Sequence, residues 1–119
     1  MELKGEAKLL KIYISADDKV NDTPLSEVII YAARKYGIAG ATVTNGLLSY
    51  GANSLANEVY PMKLSESTPM YIEIIDNVEK IDGFINIIQN YFKNAKYGGI
   101  ITISDVNVLV YKKHREPKT

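Results

Sequence analysis

The sequence predicts an α+β sandwich, in which four antiparallel strands form one sheet and two helices pack on one of its faces. Segments with the two-residue periodicity of strands lie before and after each of two segments with helical spacing, in the order β-α-β-β-α-β. The chain also has 119 residues, which suits one domain with a single hydrophobic core. Two split β-α-β units in this order form the ferredoxin-like sandwich.

The first strand and the first helix follow from the N-terminal third of the sequence. Side chains alternate over residues 8–15, which places three apolar ones on one side of a strand: Leu10, Ile12 and Ile14. Residues 23–36 then carry apolar side chains at helical spacing. We expect Thr23 to cap this helix, Pro24 to take its first position, and Gly37 to end it in the left-handed conformation.

The second predicted strand lies in the glycine-rich segment 37–54, which holds four of the chain's eight glycines. Glycine in a strand costs conformational entropy and leaves nothing to pack, so its accumulation needs a reason. Asn45-Gly46 predicts either a tight hairpin turn or a glycine bulge within one long strand. The sandwich already has its four strands, which favours the bulge. The glycines serve either as folding signals or to let a ligand approach the backbone.

The second half of the chain repeats the pattern. Residues 69–76 alternate as a third strand, and residues 78–95 predict a helix that buries four apolar side chains: Ile81, Ile85, Ile88 and Phe92. Gly98-Gly99 then turns the chain into the final strand. The predicted domain spans residues 1–111, and residues 112–119 form a polar tail that we expect to be flexible.

The predicted sheet has a second face that neither helix covers. The side chains expected to point that way are largely apolar: Leu9, Tyr13, Tyr71, Ile75, Leu109 and Tyr111. A face of this kind is too apolar to be freely wetted, so we expect a partner to cover it. The most economical partner is another copy of the chain.

Composition excludes several classes of function. Fourteen Lys and Arg balance fourteen Asp and Glu, so no net charge attracts nucleic acid or acidic lipid. The absence of cysteine excludes disulfides, thiolate nucleophiles and cysteine-based metal sites. The N-terminus lacks the apolar core of a signal peptide, and no apolar run is long enough to span a membrane. We therefore expect a cytoplasmic protein that binds no nucleic acid and does not insert into a membrane.

Short motifs in a fixed order give the chain a resemblance to PII signalling proteins. GIAGATVTNGLLSYGANS, followed later by YIEIID, resembles a pattern of approximately G-x-x-G-x-T-V-T, then G-F-G, then I-E-I. A family of short, uncharacterised PII-like proteins is more similar still, with LLKIYI, PL, GATV, YGA, IEI and DV in this order. The β-α-β spacing agrees over nearly the whole chain.

The resemblance implies a regulatory or signalling protein that assembles as a homotrimer. Three clefts between subunits would each hold an adenine nucleotide, with no cofactor required. A mobile loop, about residues 51–69, would change shape with the occupant and dock on a target protein, such as a membrane transporter or a metabolic enzyme. We expect the mechanism to be a population shift, in which the nucleotide binds better to one loop conformation than to the other.

Nine residues are carried over by position to the implied nucleotide site. Thr42 matches the strand threonine at the adenine end of the cleft, and Glu73 matches the acid of I-E-I. The others come from the loop base, the second phosphate-facing loop and the basic tail: Ser49, Gly51, Asn53, Gly98, Gly99, Lys112 and Lys113. Backbone N–H groups beside glycine can reach a phosphate because no Cβ blocks the approach. Each residue also has a plainer interpretation as part of a strand, a turn or a solvated tail.

Departures from the PII pattern bear on the choice of nucleotide. Ala52 and Asn53 replace a basic residue and a glutamine at the base of the loop, and Ile100 replaces a lysine of the second loop. The glutamine helps to hold a metal on a triphosphate, so sensing of Mg-ATP and 2-oxoglutarate is not expected. We favour AMP or ADP, with ATP and a cyclic dinucleotide as further candidate ligands.

The sequence predicts neither a catalytic nor a metal site. Its one histidine, His114, lies in the polar tail, and no nucleophile elbow or Walker-type lysine motif is present. One alternative function is a structural or metal-tolerance trimer of the same fold that binds no nucleotide. Another is RNA binding, which the final strand disfavours because TISDVNVLV lacks aromatic and basic residues.

Overall fold

One antiparallel sheet with both helices on the same face forms the core of the structure. The computed structural model describes residues 3–46, 69–93 and 99–112. Its elements are β1 (Gly5–Ser15), β2 (Lys19–Val20), β3 (Thr23–Pro24), α1 (Leu25–Tyr36), β4 (Gly40–Asn45), β5 (Pro69–Asp76), α2 (Val78–Lys93) and β6 (Ile100–Val108). The large sheet has the order β4-β5-β1-β6, with every neighbouring pair antiparallel. The α+β ferredoxin-like fold predicted from the sequence is confirmed.

The hydrophobic core lies between the sheet and the two helices. Its fully buried side chains come from the two central strands and from one side of each helix: Leu10, Ile12, Ile72, Ile74, Leu25, Ile29, Ile81, Phe84 and Ile88. Burial of each such side chain contributes about 1.5–3 kcal/mol. The predicted inward side of β1 is confirmed, because Ile14 is buried with Leu10 and Ile12.

Helix α2 is rotated slightly from the predicted orientation. Ile81 and Ile88 are buried as predicted, but the third buried position is Phe84. Ile85 and Phe92 are half-buried and pack at the margin of the core. The ring of Phe84 lies 5.6 Å, centroid to centroid, from the ring of Tyr36 on α1. This contact between the helices is long-range, so the periodicity of α2 alone does not contain it.

The start of α1 differs from the prediction. The helix begins at Leu25, its N-cap position is Pro24, and no side chain caps it, so the prediction of Thr23 as the N-cap is wrong. Thr23 instead pairs with Val20 in a hairpin of β2 and β3. The two residues between these strands, Asn21 and Asp22, have φ of 48° and 67°, which Asn and Asp tolerate in tight turns.

The end of α1 agrees with the prediction. Gly37 ends α1 in the left-handed conformation, with φ of 86°, as expected. The pairing of β4 with β5 continues past Asn45, because the N–H of Gly46 donates to the carbonyl oxygen of Pro69 at 2.8 Å. The choice between a hairpin turn and a bulge depends on residues 47–50, which lie outside the described residues.

The last strand is shorter than the extended segment in the sequence. β6 ends at Val108, and residues 109–112 continue without pairing in the sheet. Across the described parts of the chain, neither helix has the length and apolar character needed to cross a membrane.

Candidate functional site

Three rows of side chains cross all four strands on the sheet face opposite the helices, here called the open face. Directly opposed residues of antiparallel strands point to the same face, so the pairing register defines the rows. From β4 to β6, the rows are Gly40–Ile75–Leu9–Ser104, Thr42–Glu73–Lys11–Thr102 and Thr44–Tyr71–Tyr13–Ile100. The middle row, here called the polar row, is polar on all four strands.

The rows on either side of the polar row carry the apolar surface that the sequence predicts. Leu9 and Ile75 are directly opposed on one side, and Tyr13 and Tyr71 on the other. The two tyrosine rings lie 6.0 Å apart, and Tyr13 is still 41% exposed. Beyond β6, Leu109 is 78% exposed. The described part of the chain therefore leaves this apolar face uncovered, as predicted.

A cleft of about 500 Å³ lies at the end of the open face where β4 begins. One wall is formed by the residues around the start of β4 and by β5, and the other by the segment before β1 and by the end of β6 with the residues that follow it. The lining residues are Leu3, Ala39, Gly40, Ala41, Thr42, Glu73, Ile75, Val108, Val110 and Tyr111. Its volume lies within the range of about 300–1,000 Å³ that is usual for small-molecule sites.

The pairing register brings two of the predicted nucleotide residues together in this cleft. Thr42 on β4 is directly opposite Glu73 on β5. Both side chains therefore point from the same face, and both line the cleft. The threonine hydroxyl can donate or accept a hydrogen bond, whereas the ionised carboxylate only accepts. This end of the cleft is suited to a ligand group that carries hydrogen-bond donors.

The electrostatics of the cleft are set mainly by Glu73. It is the one carboxylate among the lining residues in the described part of the chain, and no lysine or arginine is among them. Lys11 is directly opposite Glu73 on β1. Nevertheless, Glu73 has no ion-pair partner within 4.0 Å among the described residues. The half-buried carboxylate is therefore available to a ligand donor.

Gly40 contributes only backbone atoms to the cleft wall. An added Cβ on Gly40 would meet no heavy atom within 4 Å, and its φ is not in the left-handed region. Nothing within the described chain therefore requires glycine at this position. Because Gly40 lies on the open face and lines the cleft, an added methyl group would project into the space that a ligand would occupy.

Gly99, another predicted site residue, lies at the opposite corner of the sheet. An added Cβ there would be 2.5 Å from the carbonyl oxygen of Tyr13 and 2.7 Å from Cζ of Phe92. Close packing of β1 and α2 around this position therefore explains the glycine. Gly99 does not line the cleft that contains Thr42 and Glu73.

The remaining predicted site residues lie at the tail or outside the described residues. Lys112 is exposed and directly follows Tyr111, which lines the cleft. Residues 113–119 are not described, so Lys113 remains a prediction. The same holds for the residues of the loop base and the second loop: Ser49, Gly51, Asn53 and Gly98.

One wall of the cleft was not predicted from the sequence. Leu3, Val108 and Val110 line it, yet none was a candidate. The pairing of Gly5 with Val108 brings the start of β1 beside the end of β6. The apolar residues around Val110 could have indicated a buried or ligand-lining segment. Their position beside Leu3, however, depends on the long-range pairing of β1 with β6.

The chain matches a known protein family over most of its length. Residues 7–108 match the DUF190 family, which is described as an "Uncharacterized ACR". A UPF0166 protein of Aquifex aeolicus is 33% identical over 102 residues, which cover 86% of this chain and 92% of that protein. A UPF0166 protein of Methanocaldococcus jannaschii is 33% identical over 103 residues, covering 87% and 92%.

Solved structures show the same fold. CPII from Thiomonas intermedia K12, bound to ADP, AMP and acetate, has a TM-score of 0.62 at 17% identity, covering 91% of this chain and 92% of CPII. A putative PII-like signaling protein from Thermus thermophilus has a TM-score of 0.61 at 19% identity, covering 92% and 94%. The predicted resemblance to uncharacterised PII-like proteins is confirmed.

Proposed function

This chain belongs to the DUF190 family, and from that premise we propose that it is a PII-like regulatory protein that binds an adenine nucleotide. The nucleotide is AMP or ADP, and it binds in clefts between the subunits of a homotrimer. A loop of about residues 51–69 responds to the nucleotide and contacts a target protein. The observation that carries the proposal is the cleft in which Gly40, Thr42 and Glu73 lie side by side.

The lining of the cleft supports the nucleoside part of the ligand at this end. The carboxylate of Glu73 accepts hydrogen bonds, which suits an exocyclic amine or a ribose hydroxyl and repels a phosphate. Thr42 adds a second polar group beside it, and the ring of Tyr111 offers an aromatic surface. The ligand's phosphates therefore extend away from Glu73. Lys112, which follows Tyr111, is the nearest basic residue along the chain and starts the basic tail that includes Lys113.

A second copy of the chain completes the site in this proposal. In one copy, the described lining of the cleft contains no cation, yet an anionic ligand needs one. The apolar rows of the open face need cover as well, since contiguous exposed apolar surface indicates an interface. One assembly with copies in contact meets both needs. The site residues outside the described ranges, from Ser49 to Asn53 and at Gly98, remain predictions within this assembly.

The choice of AMP or ADP over ATP has two supports. The residues that would hold a metal on a triphosphate are absent from the loop base, where Ala52 and Asn53 stand. The structurally similar CPII has been solved with ADP and AMP bound. The proposed activity is binding rather than catalysis, because one carboxylate in the described lining provides no acid–base pair.

Calorimetry and a mass measurement of the full-length protein test the proposal. We expect saturable binding of AMP or ADP at one site per subunit, tighter than ATP, to a species with three times the mass of the chain. Thr42→Val should weaken binding by at least about fivefold, because it removes a hydrogen bond worth about 1 kcal/mol. Thr44→Val is the matched control, since Thr44 lies on the same strand and face but does not line the cleft.

Two results would contradict the proposal. One is a melting temperature that millimolar AMP, ADP, ATP and cyclic dinucleotides all leave unchanged. That result would support a structural trimer of the same fold instead. The other is a monomer at working concentration, since a single chain supplies only part of the site.

A further inference from the structure

Asp76 at the end of β5 is a buried acid with both carboxylate oxygens occupied. It is 5% exposed. Its Oδ2 accepts a hydrogen bond from the backbone N–H of Ala39 at 2.8 Å, and its Oδ1 accepts one from the N–H of Asn77 at 2.7 Å. A buried charge is costly unless it is hydrogen-bonded in this way. The two bonds therefore make this position specific for a carboxylate.

The Asp76 carboxylate joins two parts of the chain that lie 37 residues apart. Ala39 belongs to the connection between α1 and β4, and it precedes the first residue that pairs with β5, which is Gly40. Its N–H therefore lies outside the ladder that fixes β4. On the other side, Asn77 caps α2, because its Oδ1 accepts from the N–H of Lys80 at 2.9 Å. The carboxylate thus connects the segment just before β4 with the start of α2.

The hydrogen bond between Asp76 and Ala39 holds a residue of the cleft wall directly. Ala39, Gly40 and Ala41 all line the cleft, although Asp76 does not. Upstream, the wall is anchored by the N–H of Ile38, which donates to the carbonyl oxygen of Ala33 at 3.0 Å. Downstream, it is anchored by the β4–β5 ladder. Asp76 supplies the one described side-chain bond to the residue between these anchors.

We infer that Asp76 is a positioning residue, which holds the Ala39–Ala41 wall in the geometry that the ligand requires. The inference rests on the proposed function and names a residue that controls its site without touching the ligand. A wall that is already fixed loses little conformational entropy when the ligand binds, which favours affinity. A carboxylate can serve both N–H groups, whereas an amide offers one acceptor and turns its NH₂ toward the other N–H.

The test compares Asp76→Asn with two controls, Asp82→Asn and Ile88→Val. Asp82→Asn removes a carboxylate from an exposed position on α2, where it pairs with Lys8 at 3.0 Å. Ile88→Val lowers stability through the core, in the second half of α2. We expect Asp76→Asn to weaken ADP and AMP binding by at least about tenfold, as for loss of a hydrogen bond to a charged group. The amides of Ala39–Ala41 should exchange faster in this variant, while both controls should keep wild-type affinity.

A variant that binds as tightly as wild type would overturn the inference. So would a loss of affinity that Ile88→Val reproduces, since that variant is destabilised without any change at Asp76. If the wild-type protein binds no adenine nucleotide, the proposed function fails, and hydrogen exchange decides the positioning role by itself. Acceleration confined to Ala39–Ala41 then supports the role, and acceleration across the whole sheet, or none, overturns it.

One measurement needs no variant. In the wild-type protein, the Ala39 amide should exchange as slowly as amides within the β4–β5 ladder, because Asp76 holds it. Exchange of that amide at the rate of an unstructured peptide would overturn the inference even if Asp76→Asn does not fold.

Discussion

Gly40 and Gly99 lie at opposite corners of the same sheet, one at the start of β4 and the other just before β6. Both belong to glycine-containing segments for which the sequence leaves either a folding role or contact with a ligand open. At Gly99, an added Cβ would collide with the carbonyl oxygen of Tyr13 and the ring of Phe92. At Gly40, an added Cβ would meet nothing within 4 Å.

The comparison separates two reasons for a glycine. Gly99 is explained by the packing of the chain against itself, so its presence says little about a ligand. Gly40 has no such internal reason, and glycine costs a strand about 0.5–1 kcal/mol relative to alanine. We therefore expect the missing side chain to serve a contact from outside the described residues. In our proposal, that is the nucleotide in the cleft that Gly40 lines.

The largest effect we expect on stability is that of Gly99→Ala. The new Cβ would be 2.5 Å from a backbone oxygen, which cannot rotate away as a side chain can. Overpacking of this kind costs about 1–3 kcal/mol, and we expect the upper half of that range. Urea unfolding of Gly99→Ala and Gly40→Ala under the same conditions measures the difference in their free energies of unfolding. Equal stability of the two variants would contradict the conclusion that internal packing requires glycine at Gly99 but not at Gly40.

Gly40→Ala should have the opposite profile, with stability retained and binding lost. We expect the free energy of unfolding to stay the same or rise by up to about 1 kcal/mol, because alanine is less costly in a strand. ADP affinity should fall by at least about tenfold, since the methyl group projects into the cleft. Calorimetry and denaturant unfolding on one preparation measure both quantities.

The mass of the assembly is the control for Gly40→Ala. A variant that binds ADP normally would show that the glycine does not face the ligand. A variant that loses binding together with its oligomeric state would show that Gly40 serves a contact between copies. Only lost binding with an unchanged mass supports the distinction drawn between Gly40 and Gly99.

Glu73→Gln tests which part of the ligand lies at the Gly40 end of the cleft. If Glu73 accepts from the nucleoside, the variant should bind AMP and adenosine more weakly by the same factor, about tenfold. If it faces the phosphate, the loss of negative charge should strengthen AMP binding and leave adenosine unchanged. Titration with both ligands measures the two factors. Glu79→Gln, on the first turn of α2, is the matched control for the change in charge.

The fold was largely predictable because its signals are local. Alternation in β1 and β5, helical spacing in α1 and α2, and a left-handed glycine at Gly37 are all contained in short stretches of sequence. The hairpin at Asn21-Asp22 was also local, and it was missed because its strands have only two residues each. The burial of Phe84 rather than Ile85 was not local, because both fit the periodicity of α2 and the ring that contacts Phe84, Tyr36, lies on the other helix.

The candidate site was predictable only in part. Motif order assigned Thr42 and Glu73 to one site, and the β4–β5 register places them directly opposite each other. The far wall of the cleft depends on the pairing of Gly5 with Val108, between the start of β1 and the end of β6. Similarly, no local pattern relates Asp76 to Ala39. Such contacts are properties of the tertiary structure, and sequence periodicity does not contain them.

The smallest effect we expect is at Lys80, which lies beside the same chain segment as Gly40 but does not hold the cleft wall. Its Nζ donates to the carbonyl oxygens of Tyr36 and Gly37 at 3.1 and 3.2 Å, at the negative end of α1. Lys80→Met should therefore lower the free energy of unfolding by about 0.5–1 kcal/mol at low salt, and by less at high salt.

Binding separates the role of Lys80 from that of Asp76. In Lys80→Met, the N–H of Ala39 keeps its bond to Asp76, so ADP affinity should stay within about twofold of wild type. Unfolding at two salt concentrations and calorimetry with ADP measure the two effects. A loss of affinity as large as that of Asp76→Asn would mean that the end of α1 positions the cleft wall. The position of Gly40 in the cleft wall would then be set by the end of α1 as well as by the Asp76 carboxylate. The difference between Gly40 and Gly99 would in that case involve the helix and not the cleft alone.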